Sequence, residues 1–130
     1  MKFAIQINSA PWESQGGETA YQFSRAAIGM GHEVVRVFFY YEGAYTGLRW
    51  MEAPDGEKAI VSRWSALAED QGVDLVICIS AAQRRGIVEP TEAKQLSKHH
   101  DALADGFRIA GLGLWVDACL KADRFLVFGG

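Results

Sequence analysis

Residues 74–79 read Asp-Leu-Val-Ile-Cys-Ile, one acid followed by an unbroken apolar run. Such a run lacks the polar alternation of a half-buried strand and suits a strand covered on both faces. Strands of that kind belong to parallel sheets flanked by helices. This constraint predicts an α/β chain.

The rest of the sequence supplies the alternation. Phe3 to Ile7 is a short apolar strand, followed by a loop from Asn8 to about Glu18 and a helix that Thr19 is placed to cap. Ala20, Phe23, Ala27 and Met30 recur at helical spacing, and Gly29 and Gly31 give a stop signal. Glu33 to Tyr40 reads as a second strand. Tyr41 to Glu57, with Gly43, Gly47, Pro54 and Gly56, reads as a long loop. Ile60, Trp64, Leu67 and Ala68 mark a second helix that breaks at Gly72, and Ala81 to about Gly86 opens a third. The polar stretch from Glu89 to Asp105 carries no clear periodicity, although Pro90 suits the first position of a short helix. Phe107 to Ala110 and Arg124 to Phe128 are the remaining strands. Between them, Leu112, Trp115, Val116, Cys119 and Leu120 follow the spacing of a core-facing helix.

Strands alternating with helices imply parallel pairing through right-handed crossovers. The expected fold is a single α/β domain over residues 1–130, a flavodoxin-like three-layer sandwich with a five-stranded parallel sheet. Its strand order is typically 2-1-3-4-5, and sites gather beyond the carboxyl ends of the strands. That places Cys78 near the carboxyl end of a central third strand.

Composition narrows the function. The 130 residues fit one domain, and 49% hydrophobic content permits a continuous core. A net charge of -3 argues against a broad basic surface for nucleic acid. One Lys before a short interrupted apolar run is too little for a signal peptide, and no stretch nears the ~18 apolar residues of a membrane span. The expected location is the cytoplasm.

Two cysteines, Cys78 and Cys119, stand far apart, and the three histidines form no zinc spacing with them. A reducing cytosol disfavours a structural disulfide. Packing or reactivity must account for each thiol. Cys119 falls on the apolar face of its helix, where core packing accounts for it. Cys78 can also be read as a small buried hydrophobe. Three features favour reactivity instead. It sits one or two positions before its strand should end, a helix start is expected to follow, and Arg84 and Arg85 are close in sequence. Amides and positive charge both stabilise a thiolate, which is the form that transfers sulfur.

Other patterns are weaker. Cys78 and Arg84 satisfy C-x5-R, a spacing used by anion-binding loops of phosphatases and reductases, but no Gly lies between them. Gly16-Gly17-Glu18-Thr19 lacks the Lys of a phosphate loop. In Gly111-Leu112-Gly113, Val116 stands where a dinucleotide fingerprint needs Gly. His99 and His100 sit in the polar stretch and suit solvent, with weak metal binding or proton transfer as the alternatives. Phe38, Phe39, Tyr40, Tyr41, Tyr45 and Trp50 cluster in and around the long loop. Exposed aromatics there predict a protein interface.

The stretch from Asp74 to Ile87, with Cys78, Arg84, Arg85 and Gly86, resembles the active-cysteine segment of the DsrE/TusD family. Lys2-Phe3-Ala4-Ile5, Tyr21-Gln22-Phe23, Gly31-His32-Glu33, Val37-Phe38-Phe39-Tyr40, Gly111-Leu112-Gly113 and Ala122-Asp123-Arg124 extend the likeness almost end to end. The resemblance implies a sulfurtransferase subunit that carries persulfide sulfur on Cys78 and needs no cofactor or metal. It implies a heterohexamer with two related small subunits, TusB/TusC-like or DsrH/DsrF-like, between an upstream and a downstream sulfur carrier. The sulfur would serve 2-thiolation of the tRNA wobble uridine in the TusD branch, or sulfur oxidation in the DsrE branch. Direct contact with nucleic acid or a membrane is not expected. A non-catalytic scaffold subunit of the same complex is the bland alternative.

Overall fold

The computed structural model describes residues 1–54, 57–87 and 102–129. Five strands, β1 (Lys2–Ile7), β2 (Glu33–Phe39), β3 (Asp74–Cys78), β4 (Phe107–Ala110) and β5 (Arg124–Phe128), form one parallel sheet. Four helices are described: α1 (Gly16–Gly29), α2 (Ile60–Gln71), α3 (Ile79–Arg84) and α4 (Gly113–Lys121). The α/β alternation read from the sequence therefore holds. The possible helix at Pro90 and the pair His99 and His100 lie outside the described residues.

The strand order is 4-3-2-1-5, not 2-1-3-4-5. The chain winds in one direction from β1 to β4 and then returns to add β5 on the free side of β1. Both orders satisfy right-handed crossovers, so hydrophobic periodicity does not choose between them. Specific contacts seat β5. Lys2 donates its amide to Asp123 Oδ2 at 2.7 Å, and Asp123 donates its own to the Lys2 carbonyl at 2.8 Å.

Residue alternation divides the sheet into two faces. Phe3, Ile5, Ile7, Val37, Phe39, Leu75 and Ile77 share one of them. The rings of Phe23 in α1 and Trp64 in α2 meet that face edge-on, against Phe3 and Phe39. The opposite face carries Arg36, Phe38, Asp74 and Val76 and is met by α4, where Trp115 stacks near Phe38 at 6.1 Å. Helices on both sides make the expected three layers.

Two local readings change. α1 begins at Gly16 with Gln15 before it, so Thr19 sits inside the helix instead of capping it. The expected loop after β2 opens with a 3-10 helix, Tyr41–Gly47. Gly43 explains that segment's path. A Cβ there would lie 2.1 Å from the Ile7 carbonyl oxygen, so only glycine lets the chain cross the end of β1. Gly72 ends α2 in the left-handed region at φ 69°, as its sequence position predicts.

Candidate functional site

A parallel sheet gathers the ends of all its strands at one edge, and the site lies there. β3 ends at Cys78, and Cys78 is also the residue that precedes the first turn of α3. In the observed order β3 is second from an edge, and β2 occupies the centre. Cys78 thus stands at the rim as expected, though not on the central strand.

The side chain is 2% exposed. Its position at the strand end does not by itself open it to solvent. α3 gives its first residues no side-chain cap, so Sγ takes no hydrogen bond from the helix amides. Instead Sγ lies 3.3 Å from Ser80 Oγ. Ser80 and Ile79 are exposed, directly after the buried thiol.

The two arginines divide. Arg85 pairs with Glu42 of the 3-10 helix, donates to the Ala81 carbonyl at 3.0 Å, and lies over the Tyr45 ring at 5.8 Å. It ties α3 to the segment after β2 and is not directed at the sulfur. Arg84 is exposed at the end of α3. Residues 79–84 are helical, so the C-x5-R spacing builds no loop around an anion. The phosphatase or reductase reading loses its geometric basis.

Tyr41 opens the 3-10 helix at φ 48°, a left-handed conformation that costs a tyrosine about 1–3 kcal/mol. The Glu42–Arg85 pair and the Gly43 crossing hold it there. Trp12, in the loop after β1, stacks on Tyr45 at 5.2 Å. The aromatics of the long loop are thus split. Phe38 and Phe39 are core, whereas Tyr41, Trp50 and Trp12 are exposed. Trp12 was missed by sequence reading because an isolated aromatic in a polar loop has no periodicity.

α4 also departs from expectation. Ala118 is its buried residue, and Leu114 and Trp115 turn toward the sheet with it. Val116 and Leu120 point outward, and Leu120 is 82% exposed. Phe125 and Val127 of edge strand β5 are 60% and 52% exposed. The helix has two apolar sides, and the spacing that predicted burial mixed them, with Trp115 facing the sheet and Leu112, Val116 and Leu120 exposed. Cys119 is partly buried on α4, and burial pushes its thiol up, away from the thiolate.

A charged cluster fixes α4 to the sheet. Arg36 donates to Asp74 Oδ2 at 2.6 Å, to the Leu114 carbonyl at 2.8 Å and to Asp117 Oδ2 at 3.1 Å. Arg108 grips Asp74 with two bonds of 2.8 Å. Burial opposes the charge on Asp74, yet the hydrogen bonds from Arg108 and Arg36 prevail and hold its carboxyl below the usual range. Among the described residues no group of three or more His, Cys, Asp and Glu is arranged to hold a metal ion.

Comparison with known proteins is concordant across the whole length. A family model described as the DsrE/DsrF-like family matches residues 1–128. The "Putative sulfurtransferase DsrE" of Allochromatium vinosum is 47% identical over 129 residues, 99% of each chain. The "Sulfurtransferase TusD" of Enterobacter sp. (strain 638) is 40% identical over 128 residues, 98% of this chain and 100% of that one. The crystal structure of the ychN protein from E. coli superposes with a TM-score of 0.79 over 98% of this chain and 99% of that one. At 23% identity, that last likeness bears on the fold alone.

Proposed function

This chain belongs to the DsrE/DsrF-like family and is a sulfur-relay sulfurtransferase, and on that premise we propose that Cys78 is the thiol that carries the sulfur. The observation that carries the assignment is its place at the carboxyl end of β3, within the matched family region. Cys119 is the poorer candidate, because it lies near the end of α4 where the chain turns into β5, away from the carboxyl edge of the sheet.

The transfer is a displacement at sulfur. The Cys78 thiolate attacks the outer sulfur of a donor persulfide, R–S–SH. A bond forms from Sγ to that sulfur, the donor S–S bond breaks, and its electron pair leaves on R–S⁻. Cys78 then bears –S–SH, and a downstream thiolate removes the outer sulfur by the same step. At 2% exposure in the lone chain, Cys78 reacts during local openings of the structure around it, which a docking carrier would make more frequent.

The proposed setting is a cytoplasmic heterohexamer with two related small subunits, between upstream and downstream carriers. The exposed apolar residues of α4 and β5 supply a surface of the kind such an assembly buries. Among the described residues no helix is long and apolar enough to cross a membrane. The sulfur serves either 2-thiolation of the tRNA wobble uridine or sulfur oxidation, and thiouridine content in a deletion strain separates the two.

Mass spectrometry after incubation with a persulfide donor tests the carrier assignment. One added sulfur atom is expected on the wild type and on Cys119→Ser, and none on Cys78→Ser. Sulfur that persists on Cys78→Ser and vanishes from Cys119→Ser overturns it. The burial of Cys78 favours a second reading, a scaffold subunit without chemistry, which predicts normal sulfur flow through a complex containing Cys78→Ser.

A further inference from the structure

Sulfur transfer needs Cys78 as an anion, and a buried anion needs a donor. The groups that sequence reading assigned to that task do not reach it. The α3 amides make no cap bond to Sγ, and Arg85 is committed to Glu42 and the Ala81 carbonyl. The Ser80 hydroxyl, 3.3 Å away, is the hydrogen-bonding partner of Sγ among the described residues. Ser80 is an exposed residue while the sulfur is buried, so the contact lies at the boundary between the thiol and the surface. A hydroxyl can rotate to donate to a sulfur anion or accept from a thiol, which suits an atom that alternates between the two.

We infer that Ser80 is the positioning residue for Cys78, its Oγ–H donating to the sulfur whenever the sulfur is anionic. This deepens the reading of Cys78 as the carrier and rests on it. Before transfer the hydroxyl holds Sγ as the nucleophile. No bond to Ser80 forms or breaks, and its proton stays on Oγ throughout. Electron flow runs from Cys78 Sγ to the outer sulfur of the donor persulfide and out on the departing thiolate.

The test compares wild type, Ser80→Ala and Ser80→Thr, all with Cys119→Ser, for sulfur loading from a small organic persulfide. Alkylation of Cys78 by a haloacetamide, read by peptide mass, runs in parallel at the same pH. Losing a hydrogen bond to a charged sulfur should slow both reactions about tenfold in Ser80→Ala. Ser80→Thr, which keeps the hydroxyl, should restore most of the rate. Melting curves identify any variant that has lost its fold; Ser80→Gly then stands in for Ser80→Ala, and Ser80→Asn, which keeps a donor, stands in for Ser80→Thr. Wild-type rates in a folded Ser80→Ala overturn the inference, as does a folded Ser80→Thr as slow as Ser80→Ala. If wild type takes up no sulfur, the carrier assignment fails. The alkylation rates then decide the Ser80 contact alone, and equal rates for wild type and Ser80→Ala overturn it.

Discussion

Arg36 of β2 and Asp117 of α4 meet at 3.1 Å across the joint between sheet and helix, while the same guanidinium holds Asp74 of β3 at 2.6 Å. One side chain thereby fastens two strands and the helix on their outer face. Its position is 11% exposed, so the charge is largely withdrawn from water and relies on its partners.

Replacing Arg36 with Met removes all three of its bonds and leaves Asp74 with Arg108 alone. The expected loss is about 2–3 kcal/mol of unfolding free energy, measured by urea denaturation at neutral pH. Because Arg36 also holds the Leu114 carbonyl, amide exchange in α4 should rise more than in α1.

The same cluster sets an acid limit. The folded-state carboxyl of Asp74 lies below its unfolded value, so its contribution is fully present above about pH 4. It is lost as pH falls through the lower folded value. Glu18 adds to this, since the hydrogen bond from Arg63 outweighs burial and lowers its carboxyl too. The urea midpoint should hold steady from neutrality to about pH 5 and drop below about pH 4. Asp74→Asn should flatten that drop while lowering stability at neutral pH.

Gly43→Ala puts a methyl group against the Ile7 carbonyl oxygen, which has no room to yield without disturbing β1. A loss of about 2–4 kcal/mol is expected by thermal or chemical denaturation. Gly17→Ala is the control. Nothing lies within 4 Å of its added Cβ, and an alanine inside α1 should leave stability equal or slightly higher.

Leu120→Glu and Val127→Glu act on side chains that the lone chain leaves in water. Each should change the stability of the isolated subunit by less than about 0.5 kcal/mol. Both should abolish association when the chain is produced with the related small subunits, as measured by light scattering after size exclusion. An intact complex carrying both substitutions would move the assembly surface elsewhere.

The legible parts of the sequence were those governed by local periodicity. The apolar run Leu75–Cys78, the helical spacing of Trp64 and Leu67, and the left-handed stop at Gly72 each appear where chain-local chemistry puts them. What depends on contacts between distant residues was not legible. The place of β5 beside β1 rests on two bonds between Lys2 and Asp123, one backbone to backbone and one from the Lys2 amide to the Asp123 carboxylate, which no pattern announces. The outward turn of Val116 and Leu120 escaped because both sides of α4 are apolar. At the site, sequence proximity suggested Arg84 and Arg85 as partners of the thiol. Glu42, 43 residues away, claims Arg85, while the nearer Ser80 was overlooked beside two full charges.

The burial of Cys78 also governs selectivity among thiols. A sulfane atom stored at the α3 entrance meets glutathione and other free thiols only during brief local openings, so its loss to them is slow. A macromolecule that grips the carboxyl edge would hold such an opening in place, so the fold itself would favour protein partners over free thiols.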